Sequence, residues 1–136
     1  MLEKECIQSK GFKNILENNK SVGFQFAVRL MYYRGLWLSQ LRPFTVIVDG
    51  VLIAQEELLY EFEGQKYTSE EMETVSEIQW NVLKPVIIHV KQKEGLKEGY
   101  HEIEVDYRFS SSYMPPEMDE VLSYGTKDKR KLLLVS

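Results

Sequence analysis

The sequence is poor in the residues from which many active centres are built. It has one cysteine, Cys6, and two histidines, His89 and His101, among 136 residues. A single cysteine forms no intrachain disulfide, so a disulfide-built secreted scaffold is excluded and a reducing cytoplasm fits. Positive charge is not in excess either: 17 Lys and Arg against 21 Asp and Glu leave a formal net charge of -4. That is the reverse of the basic footprint of a nucleic-acid binder, and it disfavours an anionic membrane surface. No apolar run approaches the ~20 residues that span a bilayer. Met1 to Glu5 is acidic where a signal peptide has a basic segment and then an apolar run. The expectation is a cytoplasmic protein with neither nucleic acid nor membrane as partner. A Gly-x-Ser-x-Gly elbow, a phosphate-binding glycine loop, internal repeats and low-complexity segments are also missing.

What the chain does have is apolar and aromatic residues in period-two order. Hydrophobic residues make up 43%, enough for a core in one domain spanning residues 1–136, and eight tyrosines dominate the aromatics. From Val22 to Leu30 one parity carries Val22, Phe24, Phe26, Val28 and Leu30, the pattern of a half-buried strand. Phe44, Val46 and Val48 alternate before Asp49-Gly50, a hairpin-turn dipeptide. Leu58, Tyr60 and Phe62 lead into Gly64-Gln65, where glycine in the first central position predicts a type II′ turn. Ile78, Trp80 and Val82 alternate, as do Val86, Ile88 and Val90 after Pro85. Ile103, Val105, Tyr107 and Phe109 oppose Glu102, Glu104, Asp106 and Arg108, and Leu132 to Val135 reads as a short closing strand. Thr68 followed by Glu71 is a capping-box spacing, predicting one short helix over Ser69 to Glu73. The fold class is therefore all-β: an antiparallel β-sandwich, jelly-roll-like, with at most one short helix. Met31 to Ser39 and Ser110 to Thr126 break the alternation and read as long, exposed, aromatic connections.

Candidate chemistry is sparse. His89 and His101 lie on strands without the spacing of a metal site, and structural or surface roles fit them better. Glu102, Glu104 and Asp106 on one strand face fit solvation better than paired acid-base work. Cys6 has no electropositive neighbourhood to favour a thiolate. Lys127, Lys129, Arg130 and Lys131 read as a solvated turn. The concentrated feature is Tyr32-Tyr33-Arg34-Gly35-Leu36-Trp37. Tyr, Trp and Arg are the residues richest in interface hot spots. The same residues also suit stacking on sugars or flavonoid-like rings, or filling a core edge, and composition leaves these readings open.

Gly23-Phe24-Gln25-Phe26-Ala27-Val28-Arg29, Tyr32-Tyr33-Arg34-Gly35 with Ser39, and Val46-Ile47-Val48-Asp49-Gly50 resemble the β subunit of the C-glycoside deglycosidases. Tyr67-Thr68 with its acidic turn, Gly95-Leu96-Lys97-Glu98-Gly99 and Tyr113-Met114-Pro115-Pro116 extend the resemblance over roughly Gly23 to Pro116. None of these motifs is a catalytic signature. The resemblance implies a two-part carbon-carbon lyase acting on 3-oxo-C-glycosides, flavonoid C-glucosides among them. It places the divalent metal, manganese, and the acid-base residues in a barrel-shaped α subunit that binds most of the substrate. This chain is then the small non-catalytic partner, inactive alone, with no cofactor, metal or catalytic residue of its own. On this reading Tyr32, Tyr33, Arg34, Trp37, Tyr113, Met114 and Pro115 lie at the α-subunit contact. The competing expectations are a carbohydrate-binding β-sandwich module using Trp37 and the tyrosines as a platform, and a small cupin-like enzyme.

Overall fold

The computed structural model describes residues 3–31, 35–38, 41–74, 78–81, 83–110 and 123–134. Strands follow in the order β1 Ile7–Glu17, β2 Lys20–Val28, β3 Leu36–Trp37, β4 Thr45–Val48, β5 Val51–Leu52, β6 Leu58–Phe62, β7 Gln65–Tyr67, β8 Gln79–Trp80, β9 Val86–Lys91, β10 Gly99–Ser110 and β11 Ser123–Leu134. The helix α1 is Ser69–Glu73, capped by Thr68. All pairings are antiparallel: a five-stranded sheet β1-β2-β9-β6-β7, a four-stranded sheet β11-β10-β4-β5, and the pair β3-β8. This is the all-β, sandwich-like architecture expected from the alternation.

The two large sheets share one core. Phe24, Phe26, Val28, Leu58, Tyr60, Ile88 and Val90 come from the first sheet; Val46, Ile103, Val105, Tyr107, Phe109 and Leu132 come from the second. At its centre Phe44 stacks on Tyr107 at 4.9 Å between centroids and meets Tyr60 edge-on at 5.1 Å, with Trp80 at 6.0 Å. The hydroxyl of Tyr60 accepts from the Phe44 N–H at 3.1 Å and donates to Gln55 Oε1 at 3.0 Å, while Gln55 Nε2 donates to the Phe44 carbonyl. The buried polar groups entering β4 are thus satisfied, as they must be inside an apolar layer.

Turn chemistry follows the backbone. Asp49 and Gly50 have φ of 51° and 83°, and Glu63 and Gly64 have 51° and 85°. Two successive positive φ values make type I′ turns, whose twist matches the flanking strands. The second of these corrects the expected type II′ turn: Gly64 occupies the second central position, because Phe62 pairs with Gln65. The capping box is present in full, with Thr68 Oγ1 accepting from the Glu71 N–H at 3.2 Å and Glu71 Oε1 accepting from the Thr68 N–H at 2.9 Å.

Other expectations change. Alternation did not mark β1, which shifts register between Gln8 and Lys13 around Gly11, whose φ is 88°. The extra residues of that bulge break the parity on which a strand is recognised. In β2, Val22 is exposed while Gly23 and Ala27 are buried, so this central strand is not simply half-buried. The segment around Met31 to Ser39 is not wholly exposed, since Leu36 and Leu38 are fully buried. The basic run is not a turn: Lys127, Lys129, Arg130 and Lys131 belong to β11, which is a 12-residue strand. Asp128 and Arg130 face inward there and meet the edge of β1. Asp128 accepts from the Ile7 N–H at 3.2 Å, and Arg130 donates to the Ile7 carbonyl at 2.7 Å and to Glu3 at 3.1 Å. Two edge strands so cover each other through side chains, which blunts the tendency of open edges to pair with other chains.

Candidate functional site

Of the seven residues expected at a partner contact, Trp37 is placed by the structure. It is half-buried in β3 opposite Gln79, beside the fully buried pair Leu36 and Trp80. Tyr32, Tyr33, Arg34, Tyr113, Met114 and Pro115 lie outside the described residues. The approach to that segment is firmly held. The Tyr107 hydroxyl donates to the Arg29 carbonyl at 3.2 Å and accepts from the Met31 N–H at 2.9 Å. On the far side, a β-carbon at Gly35 would sit 3.0 Å from the Trp80 carbonyl oxygen, so glycine lets the chain pass close to β8. Trp80 itself is oriented by donating from Nε1 to the Lys84 carbonyl at 3.0 Å.

His101 closes one end of the sandwich. Its Nδ1 lies 2.6 Å from Asp49 Oδ2 and its Nε2 lies 2.6 Å from the Lys97 carbonyl oxygen. Both partners are acceptors, so the imidazolium form, with hydrogen on both ring nitrogens, is the one that satisfies both contacts. Asp49 Oδ1 also accepts from the Glu102 N–H at 2.8 Å. One aspartate thereby ties the β4–β5 turn to β10, and through His101 to the loop after β9. Burial opposes the charge on His101, but the bonds to Asp49 and the Lys97 carbonyl outweigh it and raise its pKa above the ordinary value. Burial likewise opposes ionisation of Asp49, and its bonds to His101 and the Glu102 N–H outweigh that and lower its pKa.

The sign of the pH effect follows from linkage. Stabilisation from His101 is fully present below about pH 6.5, the ordinary imidazole value, and is lost as pH rises through the raised folded value. Stabilisation from Asp49 is present above the ordinary carboxylate value of about 4 and is lost as pH falls through the lowered one. Thermal midpoints followed by circular dichroism should therefore decline on the alkaline side, and His101→Gln should flatten that decline. An unchanged alkaline limb in the variant would remove the imidazolium from this account.

His89 is buried on the outward side of the five-stranded sheet, 8% exposed, with Nε2 at 2.7 Å from Glu61 Oε1. Its Nδ1 is buried with no hydrogen-bond partner among the described residues. The two histidines are thus held by carboxylates from other elements, Glu61 of β6 and Asp49 of the β4–β5 turn. Alternation marks neither carboxylate, because strand pairing for Glu61 and the turn after β4 for Asp49 bring them into reach. Cys6 is buried, and burial together with the nearby Asp128 carboxylate pushes its thiol up to about 12, the reverse of an activated nucleophile. Glu102, Glu104 and Asp106 stand opposite Lys131, Lys129 and Lys127 in the register of β10 and β11, and Lys129 Nζ is 3.3 Å from Glu102. The acidic row is therefore charge-compensated across the strand pair. Among the described residues no three His, Cys, Asp or Glu side chains are grouped so as to hold a metal ion.

Comparison with known proteins resolves what kind of chain carries this arrangement. The family described as C-glycoside deglycosidase beta subunit matches residues 2–113. The chain belongs to that family. A relative from Eubacterium cellulosolvens, named C-glycoside deglycosidase beta subunit, is 45% identical over 116 residues, covering 85% of this chain and 79% of the relative. A relative of the same name from Arthrobacter globiformis is 37% identical over 67 residues, covering 48% of this chain and 51% of that protein. Family membership agrees with the resemblance seen in the sequence, and the structure explains several of the residues that carry it. Gly23 and Gly35 permit close backbone approaches, Asp49-Gly50 forms a type I′ turn and holds His101, and Thr68 caps α1. These roles serve the fold. Among the described residues no helix is long and apolar enough to cross a membrane.

Proposed function

We propose that this chain is the non-catalytic subunit of a C-glycoside-cleaving lyase and that it works by bracing an α subunit. Membership of the beta-subunit family over residues 2–113 carries the reading. The chemistry of its titratable groups supports it: both nitrogens of His101 are spent on hydrogen bonds that hold the fold, and the Cys6 thiol is pushed up to about 12. The substrate in this proposal is a 3-oxo-C-glycoside. A C-glycoside has no leaving oxygen to protonate, so the two-carboxylate route of ordinary glycosidases fails. A carbonyl at sugar C3 instead acidifies the C2 proton, and its removal permits elimination of the aglycone carbon. The divalent metal, manganese by family resemblance, belongs in this proposal to the α subunit, where it supplies Lewis-acid stabilisation. The contribution of this chain is a rigid β-sandwich whose aromatic segment, Tyr32 to Trp37, and Tyr113-Met114-Pro115 meet the α subunit and help exclude water from its pocket.

The test is reconstitution. This chain alone should be folded and inactive towards a 3-oxo-C-glycoside. Activity should appear on mixing with the α subunit, and the two should co-elute on size exclusion. Turnover by the isolated chain, or equal activity of the α subunit without it, would refute the proposal.

A further inference from the structure

The two sheets handle charge on their outward faces in opposite ways. On the four-stranded sheet, three carboxylates of β10 face three lysines of β11 across the strand pair. On the five-stranded sheet, register places Lys13 beside Gln25, Lys91 beside Gly23, and Lys66 beside Glu61. The Glu61 carboxylate is engaged by His89. Lys13, Lys66 and Lys91 are exposed, and none is within ion-pair distance of a carboxylate among the described residues. A chain of net charge -4 therefore presents one face with a cationic rim. Among the described residues Glu17 is the carboxylate that lines a groove on this face, and Glu56 and Glu70 lie in a neighbouring hollow towards α1.

The middle of the face is not a solvated polar surface. Ile15, Leu59 and Ile87 are half-buried and Ala27 is buried. A groove of about 280 Å³ runs over Ile15, Val22, Leu59 and Val90 beside His89. The His89–Glu61 pair sits there, with the buried His89 Nδ1 unpartnered among the described residues. Stability alone does not favour such a pair where hydrocarbon would pack.

An apolar floor with a cationic rim is the complement of an acidic protein surface with apolar centre residues. We propose that the outward face of the five-stranded sheet, centred on Leu59 and His89 and rimmed by Lys13, Lys66 and Lys91, is a docking surface for an acidic patch of the α subunit. The inference rests on the accessory-subunit reading and adds a sheet face to the aromatic segments named there. A second copy of this chain fits worse, because the same face on both copies would oppose lysine to lysine.

The experiment compares α-subunit binding by the wild-type chain and by the exposed-site variant Lys13→Glu/Lys66→Glu/Lys91→Glu at low and at high salt. Circular dichroism verifies that both are folded. If the triple glutamate variant is not folded, the corresponding triple glutamine variant takes its place. Affinity should fall at least tenfold at low salt, and the salt dependence of binding should flatten or reverse. Lys129→Gln, on the other sheet, should bind as the wild type does. Equal affinity and salt dependence of the folded triple variant would overturn the proposal, as would an equal loss in Lys129→Gln. A self-associated wild-type chain that the triple variant dissociates, with α-subunit binding intact, would assign the face to a second copy and also overturn it. Absence of any wild-type complex would instead sink the accessory-subunit reading, and this one with it.

Discussion

Gly23→Ala should destabilise the chain by about 3 kcal/mol, the upper end of the usual range for overpacking, and lower its thermal midpoint by about 10 °C. Gly23 lies in β2, which pairs with β1 on one side and β9 on the other. A β-carbon there would overlap the Val90 carbonyl oxygen and lie 3.1 Å from its carbon and 3.3 Å from the Lys91 Cα. These are backbone atoms of a central ladder, so no side chain can swing aside to relieve the clash. The strands must separate instead, which loosens hydrogen bonds between β2 and β9. Gly50 makes a useful contrast, since a β-carbon there would meet nothing within 4 Å and only its φ of 83° opposes a side chain. An unaltered midpoint for Gly23→Ala in a thermal scan would show that the close approach of β2 to β9 is not real.

Phe44→Ala should cost about 3–5 kcal/mol, the range for removing a large aromatic from a packed core. Against a typical total of about 5–15 kcal/mol, that is about a fifth or more of the stability of an ordinary domain. Phe44 is fully buried, and its ring touches aromatics from different parts of the chain: Tyr60 of β6, Trp80 of β8 and Tyr107 of β10. Its main chain is held by Tyr60 and Gln55. Loss of the ring removes a close stacking partner of Tyr107, whose hydroxyl fixes Arg29 and Met31 just before the aromatic segment. The effect should register as a lower urea midpoint and a weakened near-ultraviolet signal. A variant with wild-type midpoint and spectrum would mean that the core repacks around the deletion, contrary to the interlocked geometry described above.

Strands whose side chains divide cleanly between core and solvent were legible before any coordinates. That holds for β4, β6 and β10, where a single residue parity carries the buried set, and for the apolar set of β9. It holds too for local chemistry such as the Asp49-Gly50 turn and the Thr68–Glu71 box, whose bonding partners are only three residues apart or fewer. β1 was not legible, because its bulge at Gly11 shifts the parity partway along. β11 was legible only in its last residues, because Asp128 and Arg130 face inward to meet the β1 edge and disguise the strand as a polar turn.

Family membership and the all-β class thus followed from the amino-acid order alone, since both rest on residues near one another in the chain or on repeated parity. Folding decided which carboxylate holds which histidine: Glu61 and His89 are 28 residues apart, Asp49 and His101 are 52. It also decided that one sheet neutralises its outward charges while the other exposes Lys13, Lys66 and Lys91 on the face that carries an apolar groove. Neither outcome can be read from spacing, because register between distant strands, and not position in the chain, sets which side chains come into contact.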